Sequence, residues 1–137
     1  MRYLVTGSQM RAIDQDTIQN IGIPSLVLME RAAECVARKA EQLCDQKTLQ
    51  ILAICGVGNN GADGVAAARM LYLHGFDVLV VVVGNEAHAT KEFEVQKGIA
   101  EKLEIPVVDW EHFLHGEDEQ KAGAVSYTHL DVYKRQA

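Results

Sequence analysis

Two uninterrupted apolar segments, joined by a glycine-rich turn and a helical pattern, constrain the fold of this chain most strongly. Residues 49–55 and 78–83 are almost entirely apolar and do not alternate with polar residues, as expected of strands buried on both faces. Between them, residues 56–64 (GVGNNGADG) lead into a helical pattern over 65–74, and Gly75 supplies a stop. A strand, turn, helix and strand within about 35 residues form a βαβ unit with a right-handed crossover, so the sequence predicts a parallel sheet.

Further elements are predicted on both sides of this unit. Thr6 and Gln9 form a capping box ahead of a weak apolar stripe that ends at Gly22. A second, stronger stripe follows Pro24 and comprises Met29, Ala33, Val36, Ala40 and Leu43. Three later segments are predicted as a helix over 90–103, a short strand over 105–108 and a helical turn over 109–114 capped by Asp109. The chain therefore predicts an α/β fold with a mostly parallel sheet, preceded by two N-terminal helices. The sheet reaches only about three strands, against the five or six typical of a complete sheet, so we expect it to be truncated.

The composition excludes several classes of protein. The chain has 19 acidic and 13 basic residues among 137, and the basic residues are scattered, so the electrostatic attraction that nucleic-acid binding requires is missing. The longest apolar run is far shorter than the roughly 20 residues of a spanning helix. The N-terminus has no signal-peptide pattern, and three cysteines do not indicate a disulfide framework. We expect one soluble cytoplasmic domain, with neither nucleic acid nor membrane as a partner.

The glycines of the turn raise the hypothesis of an NAD-dependent dehydrogenase. Gly56, Gly58 and Gly61 match the dinucleotide-binding fingerprint after a strand and before a helix. However, Asp63 would place a carboxylate in the first helical turn, where it would compete with a pyrophosphate. The acidic residue that binds the ribose in that fold could only be Glu86. The dehydrogenase is therefore the least favoured of the three hypotheses considered for this chain.

The polar side chains of the turn favour another kind of ligand site. The amides of Asn59 and Asn60 and the carboxylate of Asp63 suit recognition of hydroxyl or amide groups and weak binding of a monovalent cation. A purely structural turn, with glycines at positive φ and Asp63 as a helix cap, would account for Gly61 and Asp63 singly. It would not account for three such side chains at the carboxyl end of a parallel strand, where α/β sheets bind their ligands. We therefore predict a binding site here.

The same turn carries a resemblance to a known family. The segment GVGNNGADG, followed by ARML (68–71) and Gly75, resembles the GNNGGDG segment of the YjeF N-terminal domain family, the NAD(P)H-hydrate epimerases. Upstream, MRAID (10–14), GIPS (22–25) and LMERA (28–32) are similar to the family's opening helices in order and spacing. On this resemblance, residues 1–125 are assigned to a partial domain of this family.

The resemblance implies a Rossmann-like, three-layer α/β/α domain that is usually a homodimer. Its implied activity is that of an isomerase in metabolite repair, which interconverts the R and S forms of hydrated NADH or NADPH, NAD(P)HX. A fused or separate ADP/ATP-dependent dehydratase then restores the cofactor. The resemblance also implies that Asn59, Asn60, Gly61, Ala62 and Asp63 bind the substrate, and that Asn60 is a ligand of potassium, the expected cofactor. An alternative within the same fold is a non-catalytic nucleotide-binding or dimerisation scaffold.

Two departures from the family pattern affect these expectations. Ala62 stands where the family has a glycine, which is tolerable only if its φ is negative. The family's later segments, which carry a potassium-binding aspartate and the catalytic aspartate, do not occur in this chain, and we expect Asp63 to bind rather than catalyse. We therefore predict no catalytic residue here and an incomplete epimerase. Residues 126–137 (SYTHLDVYKRQA) predict neither a strand nor a helix, and we expect a non-native or disordered tail, with an ordinary polar C-terminus as the alternative.

A few other residues carry expectations of their own. Cys55 is expected to be a buried apolar residue rather than a nucleophile, and Trp110 and Phe113 are expected in the core below the third strand. The five histidines are expected to be solvated. Asp14 and Glu30 are expected to lie on a solvent-exposed helix surface rather than to face a dimer partner or the site. A truncated sheet also leaves apolar faces uncovered, so we expect poor solubility.

Overall fold

The chain folds into helices packed on a small parallel sheet. The structure, a computed structural model, describes residues 3–44 and 47–115. Its helices and strands, in chain order, are α1 (Gly7–Asp16), a π-helical segment (Thr17–Ile21), α2 (Ser25–Leu43), β1 (Gln50–Gly56), α3 (Asn59–Leu73), β2 (Asp77–Val83), a 3₁₀ turn (Glu86–His88), α4 (Lys91–Lys102), β3 (Val107–Asp109) and α5 (Trp110–His115).

The sheet has the order β1-β2-β3, and both pairings are parallel. The register pairs Gln50 with Asp77 at the start of the strands and Gly56 with Val83 at their carboxyl ends. The βαβ unit, the mostly parallel sheet and the Rossmann-like α/β class predicted from the sequence are therefore confirmed.

The core lies between one face of the sheet and the helices α2, α3 and α4. Ile51, Ala53 and Cys55 of β1 point into this core, together with alternate valines of β2. Helix α3 is buried around most of its circumference, since Val65, Ala66, Ala67, Ala68 and Leu71 all lie in the interior. On the opposite face of β1, Ile54 is 46% exposed. The expectation that both faces of this strand are buried is therefore wrong at Ile54.

The N-terminal elements follow the sequence closely. Thr6 and Gln9 form the predicted capping box, with the Thr6 N–H donating to Gln9 Oε1 at 2.8 Å and the Gln9 N–H to Thr6 Oγ1 at 3.3 Å. The helical segment ends at Gly22, which adopts a φ of +90°. In α2 the predicted stripe is confirmed at Met29, Ala33 and Ala40, but Leu43 is exposed. Leu43 is the last residue of the helix, and the adjacent Cys44 turns into the core instead.

Four further expectations need correction or lie outside the described residues, and one is confirmed. Helix α3 begins at Asn59 rather than at residue 65, and β3 covers 107–109 rather than 105–108. Asp109 caps α5 as predicted, its Oδ1 accepting the His112 N–H at 2.7 Å. Trp110 is 36% exposed rather than buried, and its ring packs beside that of Phe113 with ring centroids 5.9 Å apart. The tail predicted over 126–137 lies outside the described residues.

Candidate functional site

The predicted binding segment, residues 59–63, forms the beginning of α3. Gly58 is the N-cap, and the Ala62 N–H donates to its carbonyl at 3.0 Å. Because Gly58 has no side chain, the first N–H groups of the helix receive no side-chain cap from it. Ala62 lies inside the helix, and Glu104 is the only non-glycine residue with positive φ in the described part of the chain, so the condition for an alanine at position 62 is met.

Gly61 is required by a close approach of helix to strand. A β-carbon at this position would lie 1.6 Å from the Gly56 carbonyl oxygen, at the end of β1. This is the role that the third glycine of the dinucleotide fingerprint has, since it allows the helix to pack tightly on the strand. The glycines of the turn do not have positive φ. Among the described residues, the glycines with positive φ are Gly22, Gly75 and Gly84. The structural alternative for this turn is therefore wrong about positive φ, and Asp63 lies within the helix rather than at its cap.

The polar side chains of the segment lie on the outer side of the helix start. Asn59 and Asn60 are exposed, and Asp63 is partly buried. Asn59 and Asp63 are four residues apart and share one face of α3. Gly61 and Ala62 are buried, so the methyl group of Ala62 faces the core. Asn59, Asn60 and Asp63 therefore provide the side-chain chemistry of this segment.

A second loop lies beside this helix start. Since Gly56 pairs with Val83, the connections that follow β1 and β2 leave the sheet at the same edge. The Thr90 N–H donates to the Val57 carbonyl at 3.0 Å, which ties the start of α4 to the glycine-rich turn. Gly84 has a φ of +122°, and a β-carbon added to it would lie 3.5 Å from the Val57 side chain. The sequence marked Thr90 only as a helix start, and no local signal pairs it with Val57.

Glu86, which lies in this second loop, has an ionic partner. Lys97 Nζ donates to Glu86 Oε2 at 2.6 Å, and this hydrogen bond raises the pKa of Lys97. A carboxylate held in this way has less capacity to accept hydrogen bonds from a ribose diol. The geometry around Glu86 therefore favours the dehydrogenase hypothesis even less than the sequence does.

Cys55 lies behind the helix start and is chemically quiet. It is buried, and burial raises the pKa of its thiol from 9.0 to about 12. Its Sγ lies where a β-carbon on Gly64 would approach to 2.8 Å, so the helix also packs tightly here. The expectation that Cys55 is a buried apolar residue is confirmed.

Glu30 of α2 forms an ion pair with Arg69, which lies on α3, the same helix as the segment. Arg69 Nη2 donates to both carboxylate oxygens of Glu30, at 2.5 and 2.6 Å. The Arg69 side chain is largely buried, whereas that of Glu30 is half-exposed. Glu30 is thus an ion-pair partner rather than only a wet surface residue, and Asp14 is exposed on α1.

The donors in the segment fit an alkali cation in kind. The amide oxygens of Asn59 and Asn60 and the carboxylate of Asp63 are hard oxygen ligands, the type that such cations prefer. Among the described residues, no group of three or more His, Cys, Asp or Glu side chains could hold a metal ion. A cation is held by several oxygen ligands, so one bound here would need ligands in addition to Asn60.

The structure also has an open hollow at the other end of the strands. It has a volume of about 650 Å³ and is lined by Glu41, Cys44, Lys47, His74 and Phe76. His74 Nδ1 is paired with Glu41, and Lys47 donates to the His74 carbonyl at 2.8 Å. The four described histidines are exposed, and His129 lies outside the described residues. The hollow is separate from the predicted segment, which lies at the carboxyl edge.

No helix in the described ranges is both long enough and apolar enough to cross a membrane.

Comparison with known proteins gives consistent matches. Residues 25–127 match the family model described as YjeF-related protein N-terminus. The chain is 48% identical over 103 residues to an NAD(P)H-hydrate epimerase of Limosilactobacillus fermentum, covering 75% of this chain and 49% of that protein. It is 38% identical over 104 residues to one of Oenococcus oeni, covering 76% and 50%. The crystal structure of the yeast protein YNL200c superposes with a TM-score of 0.71 at 25% identity, covering 79% of this chain and 47% of that one. The chain thus spans about half the length of the curated relatives it matches.

Proposed function

Because this chain belongs to the family of YjeF-related protein N-termini, we propose that it provides the substrate-binding segment of an NAD(P)H-hydrate epimerase. The observation that carries the proposal is the start of α3, where Asn59 and Asn60 are exposed at the carboxyl edge of a parallel sheet. The relatives named NAD(P)H-hydrate epimerase at 38–48% identity support the same substrate.

Each residue of the segment has a distinct role in this proposal. The amides of Asn59 and Asn60 and the carboxylate of Asp63 hydrogen-bond to hydroxyl and amide groups of the hydrated nucleotide. Gly61 and Ala62 contribute through their small size, because Gly61 has no side chain and that of Ala62 is buried. Gly58 has no side chain to cap the first N–H groups of α3, and we assign these groups to polar atoms of the ligand.

Potassium is proposed as the cofactor, with Asn60 as one ligand. Its amide oxygen is exposed at the first turn of α3 and has the chemistry that an alkali cation requires. A bound cation supplies positive charge beside the nucleotide. Asn60 would then contact both groups, and its loss would weaken both.

Catalysis requires a proton donor and acceptor at the hydrated ring carbon. Asp63 is the one carboxylate of the segment, and we assign it to binding. We therefore propose that this chain binds the nucleotide without epimerising it. We also propose that the complete enzyme is a cytoplasmic homodimer that works with a fused or separate ADP/ATP-dependent dehydratase.

Titration calorimetry on this chain tests the binding step. NADHX or NADPHX is titrated into the wild type and into Asn60→Ala. Each titration is done once in a potassium buffer and once with choline in place of potassium. We expect binding that is at least about tenfold weaker in Asn60→Ala and that loses its potassium dependence, which corresponds to about 1.4 kcal/mol. Gln42→Ala removes an exposed amide from α2 and is expected to bind as the wild type does.

The outcome separates the hypotheses. Tighter binding of unhydrated NAD than of NADHX would favour the dehydrogenase. Equal binding by the wild type and Asn60→Ala would contradict the assignment of the segment. Conversion of R to S by this chain alone, followed by chromatography, would contradict its proposed incompleteness.

A chimera distinguishes an epimerase from a scaffold. In it, the matched residues of this chain replace the corresponding half of the Limosilactobacillus fermentum protein, to which they are 48% identical. We expect the chimera to equilibrate the R and S forms and its Asn60→Ala version to do so much more slowly. A folded chimera that binds NADHX without changing the ratio would favour the scaffold.

A further inference from the structure

The loop that follows β2, residues 84–90, is attached to the glycine-rich turn at Val57. The Thr90 N–H donates to the Val57 carbonyl at 3.0 Å, and a β-carbon added to Gly84 would lie 3.5 Å from the Val57 side chain. One end of the loop thus contacts the carbonyl of Val57, and the other end contacts its side chain. Because Val57 directly precedes Gly58, the N-cap of α3, a shift of the loop would also shift the start of the predicted binding segment.

The middle of this loop is a compact 3₁₀ turn with hydrogen bonds of its own. Asn85 Oδ1 accepts the Ala87 N–H at 2.9 Å. The Asn85 carbonyl accepts the His88 N–H at 3.0 Å. Because these bonds join residues on both sides of Glu86, the first residue of the turn, a contact made by Glu86 also restrains its neighbours in the loop.

Lys97 of α4 makes such a contact. Its Nζ donates to Glu86 Oε2 at 2.6 Å and lies 3.7 Å from Glu101 Oε1, one turn further along α4. The Lys97 side chain is only 23% exposed, and the hydrogen bond to Glu86 raises its pKa. A short, charge-assisted hydrogen bond to a side chain that is mostly covered is stronger than an ordinary exposed ion pair, so it fastens the loop to α4.

We propose that Lys97 is a positioning residue for the nucleotide site: it holds Glu86, and the loop in turn holds Val57 and the start of α3. Lys97 lies seven residues after Thr90, about 10 Å along the helix axis, so it acts on the segment through the loop. For the identity of the ligand, the inference rests on the proposed function. The attachment of the loop does not depend on the ligand and is tested separately.

Hydrogen exchange of the Thr90 amide, measured by NMR without nucleotide, tests the attachment of the loop. Lys97→Met removes the charge and keeps a side chain of similar length. It is expected to accelerate exchange at Thr90 about fivefold, because the loop opens more often. Lys102→Met removes an exposed charge at the other end of α4 and is expected to change this rate by less than about twofold. An unchanged rate in Lys97→Met would overturn the inference.

Titration calorimetry with NADHX in potassium buffer tests the effect on the site. Lys97→Met is expected to bind about three- to tenfold more weakly than the wild type, and Lys97→Arg, which keeps the charge, within about twofold of it. Glu86→Lys combined with Lys97→Glu is expected to regain most of the affinity that Lys97→Glu loses alone. Circular dichroism confirms that each variant remains folded.

The results separate this inference from the proposed function. A wild type that binds NADHX no better than Lys97→Met does would overturn the inference, as would a loss of affinity that neither Lys97→Arg nor the double variant repairs. If the wild type does not bind NADHX at all, the proposed function fails. The exchange rate of Thr90 then still decides whether Lys97 holds the loop.

Discussion

At the scale of single residues, the most constrained position is a glycine without unusual backbone angles. Gly61 is needed because the helix start lies directly on the Gly56 carbonyl. The usual argument for a required glycine, a positive φ, does not apply to it. The tightness of this contact fixes where Asn59, Asn60 and Asp63 are presented.

Gly61→Ala is predicted to lower the free energy of unfolding by about 3 kcal/mol, because the new methyl group would overlap the Gly56 carbonyl and force the helix from the strand. Urea denaturation followed by circular dichroism measures the change. Gly98→Ala is the control, since Gly98 lies within α4 with no atom within 4 Å of an added β-carbon. It is expected to stabilise by about 0.5–1 kcal/mol, and equal effects of the two substitutions would refute the contact.

The thiol of Cys55 predicts a dependence of stability on alkaline pH. Burial raises its pKa from 9.0 to about 12, so the native state keeps the proton above pH 9 while the unfolded state loses it. The free energy of unfolding is therefore unaffected by this thiol below pH 9. Between about pH 9 and 12 it falls by up to about 1.4 kcal/mol per pH unit. The test compares unfolding of the wild type and Cys55→Ala across this range. A constant difference between them would contradict the prediction.

At the scale of elements, an ion pair links α2 to α3. Arg69 is largely buried, and its Nε lacks a hydrogen-bond partner. Its positive charge is therefore stabilised mainly by the two hydrogen bonds to Glu30. Such a pair differs from the exposed pairs on the outer side of α2, which join Glu34 to Arg31 and Arg38.

Glu30→Gln is predicted to lower the free energy of unfolding by about 1–2 kcal/mol, because it leaves the Arg69 charge without its partner, although exposure of Glu30 moderates the loss. Glu34→Gln is the matched control on the same helix, with an expected effect of at most about 0.5 kcal/mol. Thermal and urea unfolding provide both values. If the two variants lose the same stability, the buried pair has no special role.

At the scale of the whole molecule, the sheet has one well-covered and one partly uncovered face. Ile54 is exposed on the face of β1 away from α3, and β1 has no strand partner on its other side among the described residues. Exposed apolar surface beside an open strand edge promotes aggregation. The poor solubility expected from the sequence is thus consistent with this face and stays a prediction.

Ile54→Thr is predicted to raise the soluble concentration of the chain several-fold, because it reduces the apolar area of this face and keeps a β-branched residue in the strand. Static light scattering at increasing concentration measures species larger than a dimer. Leu73→Thr replaces an exposed apolar residue at the end of α3 and is expected to change little. A wild type that remains free of aggregates would contradict the prediction.

The sequence by itself determined the elements whose signals are local. The capping box at Thr6, the stops at Gly22 and Gly75, and the two apolar strands all act within a few residues, so pattern and propensity identify them. The binding segment was predicted in the same way, and its role stays a prediction. Only the tertiary structure decided that α3 starts at Asn59. The intrinsic helix propensities of Asn, Asp and Gly are low, so the sequence predicts a later start. The close packing of Gly61 on Gly56 outweighs these propensities. The links of Thr90 to Val57 and of Glu30 to Arg69 join residues 33 and 39 positions apart, and no local pattern specifies such distant partners.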